Sequence, residues 1–179
     1  MRKKTMHIFT IADYEDEEKW LRKQHLNGWK LVKITPPCIY AFESCEPQDV
    51  IYRLDYKNKK QTAEYVQMAE DFGWEYLDEC VGWLYFRKKR SETETREDSE
   101  LFSDNKSKIE LVNSIIKTRL IPVDLLFLTS LLIMSTLHVD YEGWGMLSGV
   151  LSGIGFAVTS FLVVYCGIKL KKIKDKYKK

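Results

Sequence analysis

Apolar and polar positions divide the chain into two parts. Residues 1–119 mix charged and apolar positions at short intervals, whereas residues 120–170 carry few charges. Two apolar runs in the second part, 121–139 and 146–168, are each close to the roughly 20 residues that a helix needs to cross a bilayer. A short polar turn at 140–145 separates them. The pattern therefore predicts a two-helix transmembrane hairpin behind a soluble amino-terminal domain.

The soluble part repeats one order of elements. The first unit is predicted as a strand at 6–11, a helix with an acidic first turn after Asp13, and strands at 29–34 and 39–43. The second is predicted as a strand at 50–56, a helix at 61–72, and strands at 74–77 and 83–88. Trp29 and Trp74 lie 45 residues apart, each directly after a helix-ending glycine.

This regular spacing favours duplication of one β-α-β-β unit, with repeats at about 5–45 and 49–90 within residues 1–90. We therefore expect an α+β domain whose six strands form one antiparallel or mixed sheet with helices over one face.

Three further segments complete the predicted organisation. They are an acidic linker at 91–100, a juxtamembrane helix at 101–119 and a basic tail at 171–179. The juxtamembrane helix carries Ile109, Val112, Ile115 and Ile116 on one face. That face fits either the inner leaflet or the soluble domain, and the sequence does not choose between them.

Charge predicts the orientation in the membrane. The tail from Lys169 holds seven lysines against one aspartate, whereas the turn at 140–145 holds two acids and no lysine or arginine. Because short basic loops stay on the cytoplasmic side, both termini are expected there, in the cell membrane. Five tail lysines are expected to contact anionic lipid: Lys171, Lys172, Lys174, Lys178 and Lys179. The net charge of +2 gives no case for nucleic-acid binding.

Small residues recur every fourth position in the second predicted span. They are Gly145, Gly149, Gly153 and Ala157. A face of small side chains lets another helix approach closely. The partner is either the first span or a second copy of the chain in a homodimer.

An ordered set of motifs carries a family resemblance. The motifs are Asp13-Tyr14-Glu15 with 17–21, Gly28-Trp29, 52–56, 73–76, 82–88 and 100–104. Together they resemble DUF2812, a bacterial family of unknown function. The resemblance implies a cytoplasmic module commonly followed by membrane spans, often encoded beside PadR-like regulators, which makes such a regulator an expected partner. More loosely, a doubled β-α-β-β unit is similar to GyrI-type domains, which hold drug-like ligands in an aromatic groove.

Aromatic side chains are the candidate ligand contacts. The predicted binding residues are Trp29, Tyr40, Trp74, Trp83 and Tyr85, in a groove that would stack an amphipathic or cationic ligand. Glu43, Asp55 and Glu75 are candidate counter-charges for a cation. The alternative is that most of the aromatics fill the core of a small domain.

Motifs for catalysis are absent from the sequence. The histidines have no serine or cysteine partner in a motif, and neither a phosphate-binding glycine loop nor a dinucleotide fingerprint occurs. Four cysteines show no zinc-like spacing, so no metal and no cofactor is expected. We expect a non-enzymatic, membrane-anchored sensor or regulatory module that binds a small ligand or a protein partner. The alternative is a structural protein whose membrane hairpin drives oligomerisation.

Overall fold

The computed structural model describes residues 1–36, 39–56, 62–93, 101, 105–123, 125–126, 128–129 and 145–177. Contacts divide the chain into two compact units, Met1–Leu111 and Val112–Lys179. The first half of the first unit contains β1 (Arg2–Met6), α1 (Tyr14–Leu26), β2 (Trp29–Thr35) and β3 (Ile39–Ser44). The second half contains β4 (Val50–Tyr56), α2 (Thr62–Asp71), β5 (Glu75–Cys80) and β6 (Trp83–Lys89), followed by a 3₁₀ turn at Arg90–Glu92.

The two halves have the same topology. The described strands form two antiparallel three-stranded sheets, sheet A in the order β1-β3-β2 and sheet B in the order β4-β6-β5. Each sheet has a bulge at the equivalent place, between Leu31 and Lys33 in β2 and between Tyr76 and Asp78 in β5. The glycines that end α1 and α2, Gly28 and Gly73, have φ values of +81° and +82°, which glycine adopts without strain. The chain is thus an α+β protein with the order β-α-β-β twice.

The prediction of one six-stranded sheet is wrong. β2 and β5 contact each other, but the described strands form no ladder between them. Side chains bridge the two sheets instead: the Ile34 N–H of β2 donates to Asp78 Oδ2 of β5 at 2.9 Å, and Arg87 Nη1 of β6 donates to the Leu31 carbonyl at 3.3 Å. Both facing strands carry the bulge, and a bulge bends a strand and interrupts its row of donors and acceptors. The two sheets therefore remain separate.

The first strand lies earlier than predicted. β1 covers Arg2–Met6 rather than 6–11. Its Lys3 points inward, with Nζ 4.3 Å from the centroid of the Trp29 ring. The apolar run after β1 packs against α1, because the His7 ring stacks on Trp20 at 4.8 Å and Phe9 meets the same ring at 5.7 Å. Ring packing on a helix thus accounts for the apolar residues that the pattern assigned to a strand.

Helix α1 packs against both sheets. Trp20 contacts Tyr40 of sheet A edge-on at 4.9 Å, and Tyr14 stacks on Trp83 of sheet B at 5.4 Å. Helix α2 covers the opposite face of sheet B. The core on that side consists of Ile51, Ala69, Trp74, Leu84 and Phe86. Sheet B is therefore buried on both faces, and α1 is shared between the halves.

The second unit is helical in its described residues. It begins inside α3 (Asn105–Ile115), which continues into a π-helical turn at Ile116–Leu120, and it includes α4 (Gly145–Tyr177). Within this unit Lys174 Nζ donates to Asn113 Oδ1 at 2.8 Å. Among the described residues of this unit, the buried apolar side chains are Val112, Ile115, Cys166, Leu170 and Ile173. The carboxyl-terminal part of the predicted juxtamembrane helix thus packs on α4.

One described helix is long and apolar enough to cross a membrane. Residues Gly153–Tyr177 of α4 reach a mean hydropathy of 1.7, and few of them are buried. The helix continues past the predicted end at 168, so the predicted basic tail is helical as far as Tyr177. The first predicted span, 121–139, lies largely outside the described residues, as does the predicted linker at 91–100.

Candidate ligand-binding site

An open pocket of about 490 Å³ lies where the two halves of the first unit meet. We name it the Arg87 pocket. Its lining consists of His25, Lys30, Cys45 and Glu46 before the connection to β4, then Gln48, Val50, Gly73, Glu75, Arg87, Lys88 and Lys89. Pockets of roughly 300–1,000 Å³ hold small organic ligands. The volume therefore suits a small molecule that touches both halves at once.

Arg87 is hydrogen-bonded to residues of both sheets. Its Nε and Nη2 donate to the two carboxylate oxygens of Glu75 at 2.6 and 2.5 Å. Nη1 donates to the Leu31 carbonyl of β2. The side chain of Arg87 is 16% exposed, whereas that of Glu75 is 59% exposed. Arg87 thus connects the two sheets through a largely buried side chain, while its carboxylate partner Glu75 is exposed to solvent.

His25 forms the α1 wall of the pocket. Its Nδ1 lies 2.8 Å from the Tyr52 hydroxyl of β4, and that hydroxyl accepts a longer hydrogen bond from the Leu31 N–H at 3.4 Å. Burial lowers the pKa of His25 below its ordinary value, Arg87 and Lys30 lower it further, and Glu75 opposes them. At neutral pH the ring is therefore uncharged.

The pocket lining is cationic. The described lining carries four cations, Lys30, Arg87, Lys88 and Lys89, against two carboxylates. Lys88 Nζ donates to the Phe72 carbonyl at 2.9 Å, which holds it near the end of α2. An open site with this excess of positive charge attracts anions.

A second buried polar cluster lies between α1 and the two sheets. Oε1 of Glu17 accepts hydrogen bonds from the hydroxyls of Tyr40 and Tyr85, each at 2.8 Å. Burial raises the pKa of Glu17 above its ordinary value, although the two tyrosine hydrogen bonds oppose this. Since the two tyrosines belong to β3 and β6, the carboxyl group connects both sheets to α1. The cluster is closed, and its arrangement suits packing rather than chemistry.

The five predicted aromatic residues do not line the Arg87 pocket. Four are buried, with exposed fractions of 9% or less: Tyr40, Trp74, Trp83 and Tyr85. Trp29 is half-buried, with Lys3 over its ring. Burial is what the alternative of core packing requires, and ligand binding by these residues stays a prediction.

The predicted membrane residues lie on α4 or beyond it. Gly145 and Gly149 belong to its first turns, whereas Gly153 and Ala157 are exposed. A Cβ added at Gly153 would meet no described atom within 4 Å. Lys171 and Lys172 are exposed, Lys174 binds Asn113, and Lys178 and Lys179 lie outside the described residues.

Of the pocket residues, the sequence singled out only Glu75, as a candidate counter-charge for a cation, whereas His25, Lys30 and Arg87 were not predicted. Glu75 and Arg87 face each other in the β5–β6 register, so cross-strand pairing was the available signal. The bulge in β5 prevents that register from being counted along the chain. Within the described part of the chain, no group of three His, Cys, Asp or Glu side chains is placed to hold a metal ion.

Comparison with known proteins identifies a family over most of the chain. The model of the family described as "Protein of unknown function (DUF2812)" matches residues 13–123. No curated protein and no solved structure matches the chain. The matched range includes every residue that lines the Arg87 pocket.

Proposed function

The chain belongs to the DUF2812 family, and because the function of that family is unknown, we propose a function from the site itself. The protein is a membrane-anchored, non-enzymatic sensor or regulatory module whose first unit binds a small ligand or a protein partner on the cytoplasmic side. The observation that carries this proposal is the Arg87 pocket, to which both halves of the domain contribute side chains.

The contacts behind the pocket support sensing. A ligand that touches Arg87 acts on a side chain bonded to Glu75 of β5 and to the Leu31 carbonyl of β2. It also lies beside His25, which is bonded to Tyr52 of β4. Occupancy therefore changes the contacts that hold the halves together, which is the kind of change that a partner can read.

The membrane anchor consists of α4 and, in this proposal, the run at 121–139 as a first span. The apolar part of α4 is followed by exposed lysines at 171 and 172. Lysines beside a span stay on the cytoplasmic side and attract anionic lipid, so both termini lie in the cytoplasm. A reporter that is active only in the cytoplasm, fused after Lys179, tests this orientation; an inactive fusion at normal protein level contradicts it.

Alkylation of Cys45 tests ligand binding. Cys45 is half-buried and lines the pocket, whereas Cys80 and Cys166 are buried. We expect a bacterial small-molecule extract to slow the reaction of Cys45 with iodoacetamide in the full chain in detergent, with Cys38→Ser removing the remaining thiol. The matched control carries Cys45→Ser and Lys33→Cys, which places a thiol at an exposed position of β2 outside the pocket.

Equal reactivity with and without the extract contradicts the small-ligand form of the proposal. The same assay with a purified PadR-like regulator tests the protein-partner form. There the expected result is protection of Cys45 together with co-elution of the two proteins, and absence of both contradicts it.

A second candidate function is oligomerisation through α4, because Gly153 and Ala157 are exposed on one face of that helix. Gly153→Leu with Ala157→Leu is expected to abolish self-association measured by sedimentation in detergent. Gly155→Leu is the matched control, since Gly155 is also exposed with no described atom near a Cβ. Unchanged sedimentation of the double variant contradicts this function.

A further inference from the structure

We propose that the Arg87 pocket binds a small oxyanion, a molecule bearing a carboxylate or a phosphate, which replaces Glu75 as the partner of the Arg87 guanidinium. The inference rests on the proposed binding function and adds the chemical class of the ligand. It also gives Glu75 a role, that of an internal competitor for the site.

The guanidinium already presents its donors to an oxyanion. Nε and Nη2 of Arg87 form two parallel hydrogen bonds with the Glu75 carboxylate. This bidentate geometry is the one that arginine uses for carboxylates and phosphates in general. A ligand of that class can reproduce both bonds without any movement of Arg87, whose third nitrogen stays bonded to the Leu31 carbonyl.

The two partners of this ion pair differ in exposure. Arg87 is held by the fold, and Glu75 reaches it from the solvent side with more than half of its side chain exposed. Because an exposed carboxylate is already largely hydrated, its release to water costs little. The exchange of Glu75 for a ligand therefore leaves no buried charge unpaired.

A reversal of charge between the halves adds a second cation to the pocket. Lys30 pairs with Glu43 across β2 and β3, at the position equivalent to Glu75 and Arg87 across β5 and β6. The cation is on β2 in the first half and on β6 in the second. Both cations line the pocket, but Glu43 does not. The lining therefore favours an anion over the cationic ligand considered from the sequence.

The field inside the pocket agrees with this choice. Arg87 and Lys30 both lower the pKa of His25, against the opposing effect of Glu75. Since His25 is uncharged at neutral pH, the positive charge of the pocket comes from its lysines and Arg87. A bound oxyanion reduces this positive field at His25.

Calorimetric titration of the full chain in detergent tests the inference, with inorganic phosphate, succinate and tetramethylammonium as probes. We expect Glu75→Gln to bind phosphate or succinate about fivefold more tightly than the unmodified chain, because the competing charge is gone. Lys30→Gln should bind the same anion about fivefold more weakly. The controls Glu79→Gln and Lys33→Gln make the same charge changes at exposed positions outside the pocket and should leave the affinity unchanged.

The two anions identify which oxyanion the site prefers. If Glu75→Gln and Glu79→Gln have equal affinities, or if only tetramethylammonium binds, the oxyanion class is wrong. Protection of Cys45 then separates the two proposals. Protection by the extract without anion binding leaves the binding function intact, whereas absence of both overturns the inference together with the small-ligand form of the function.

Discussion

The two halves of the first unit share an order of elements but differ in how their sheets are covered. At equivalent places in the central strands, β3 has Ile39 and Ala41 where β6 has Trp83 and Tyr85. Ile39 is 36% exposed, and Trp83 is 9% exposed. The face of sheet A that holds Ile39 is open, whereas the corresponding face of sheet B packs against α1.

This difference shows that a duplicated unit need not pack in the same way twice. Helix α1 covers the inner face of sheet A through Trp20 and the second face of sheet B through Tyr14. Helix α2 packs on sheet B through Tyr65, whose ring meets Phe86 edge-on at 6.1 Å. Because α1 packs on both sheets, it holds the two halves together. The Arg87 pocket lies beside this shared helix, whose His25 forms one wall.

The largest difference between the two sheets is expected when a side chain is truncated on the faces that hold Ile39 and Trp83. Trp83→Ala is expected to lower the free energy of unfolding by about 3–5 kcal/mol, because it leaves a cavity between α1 and sheet B. Ile39→Ala, at the equivalent place on the open face, should cost about 1 kcal/mol or less. Urea unfolding of the full chain in detergent, followed by far-ultraviolet circular dichroism, measures both. Equal costs would show that the second face of sheet B is not a core.

The Glu17 cluster, which connects both sheets to α1, gives a pH test. Because burial raises the pKa of Glu17 above its ordinary 4.5, the folded chain keeps a proton that the unfolded chain loses as the pH rises past that value. The contribution of Glu17 to stability therefore falls from pH 4.5 up to the folded-state pKa, by at most about 1.4 kcal/mol per pH unit.

Glu17→Gln should remove this fall, so the difference in unfolding free energy between the variant and the unmodified chain should change over that interval. A difference that is constant with pH, measured by urea unfolding, would mean that Glu17 titrates alike in both states.

Strands β2 and β5 face each other at the seam between the two sheets. Asp78 of β5 accepts a hydrogen bond there from the Ile34 N–H of β2. Asp78→Ala should cost about 1–2 kcal/mol, because the amide loses its partner at the edge of β2. Asp78→Asn keeps an acceptor and should recover most of that loss. The exposed neighbour Glu79 provides the control, Glu79→Ala. If Asp78→Ala unfolds at the same urea concentration as Glu79→Ala, the side-chain bridge does not stabilise the seam.

The smallest effect is expected at the ion pair of the first half. Glu43 lies on the open face of sheet A, with Lys30 Nζ 3.5 Å and Arg2 Nε 3.4 Å away. Since exposed pairs of this kind contribute little, Glu43→Gln should leave the thermal midpoint unchanged. A clear drop in the midpoint, read by differential scanning calorimetry, would mean that this face is covered in the folded protein.

Local chemistry explains which parts of the fold were predictable. The glycines at 28 and 73 end their helices in the left-handed conformation that only glycine adopts freely, so the helix ends and the repeat follow from the sequence. The position of β1 does not, because an edge strand that begins with three consecutive basic residues has little apolar signal and the following apolar run packs on Trp20 instead. An expectation of one sheet failed because the bulges in β2 and β5 cannot be read from composition.

The candidate site was harder to predict for a related reason. A buried tryptophan such as Trp74 and one that lines a groove look alike in a sequence, since both need apolar neighbours. Arg87 and Glu75 come together through a register that the bulge shifts, and Lys30 joins them from the other half of the repeat. Contacts between the two halves of the repeat therefore cannot be predicted from the pattern of residues along the chain.

Ring resonances of the histidines report on ligand binding between the halves, because His25 lines the Arg87 pocket. The chain has three histidines, and His25→Gln assigns the relevant signal. In the full chain in detergent, adding phosphate, succinate or the small-molecule extract should shift the His25 resonance and raise its pKa, while His7 and His138 stay unchanged. A His25 signal that none of these additions moves, or that moves only together with the other two, contradicts a binding site between the halves.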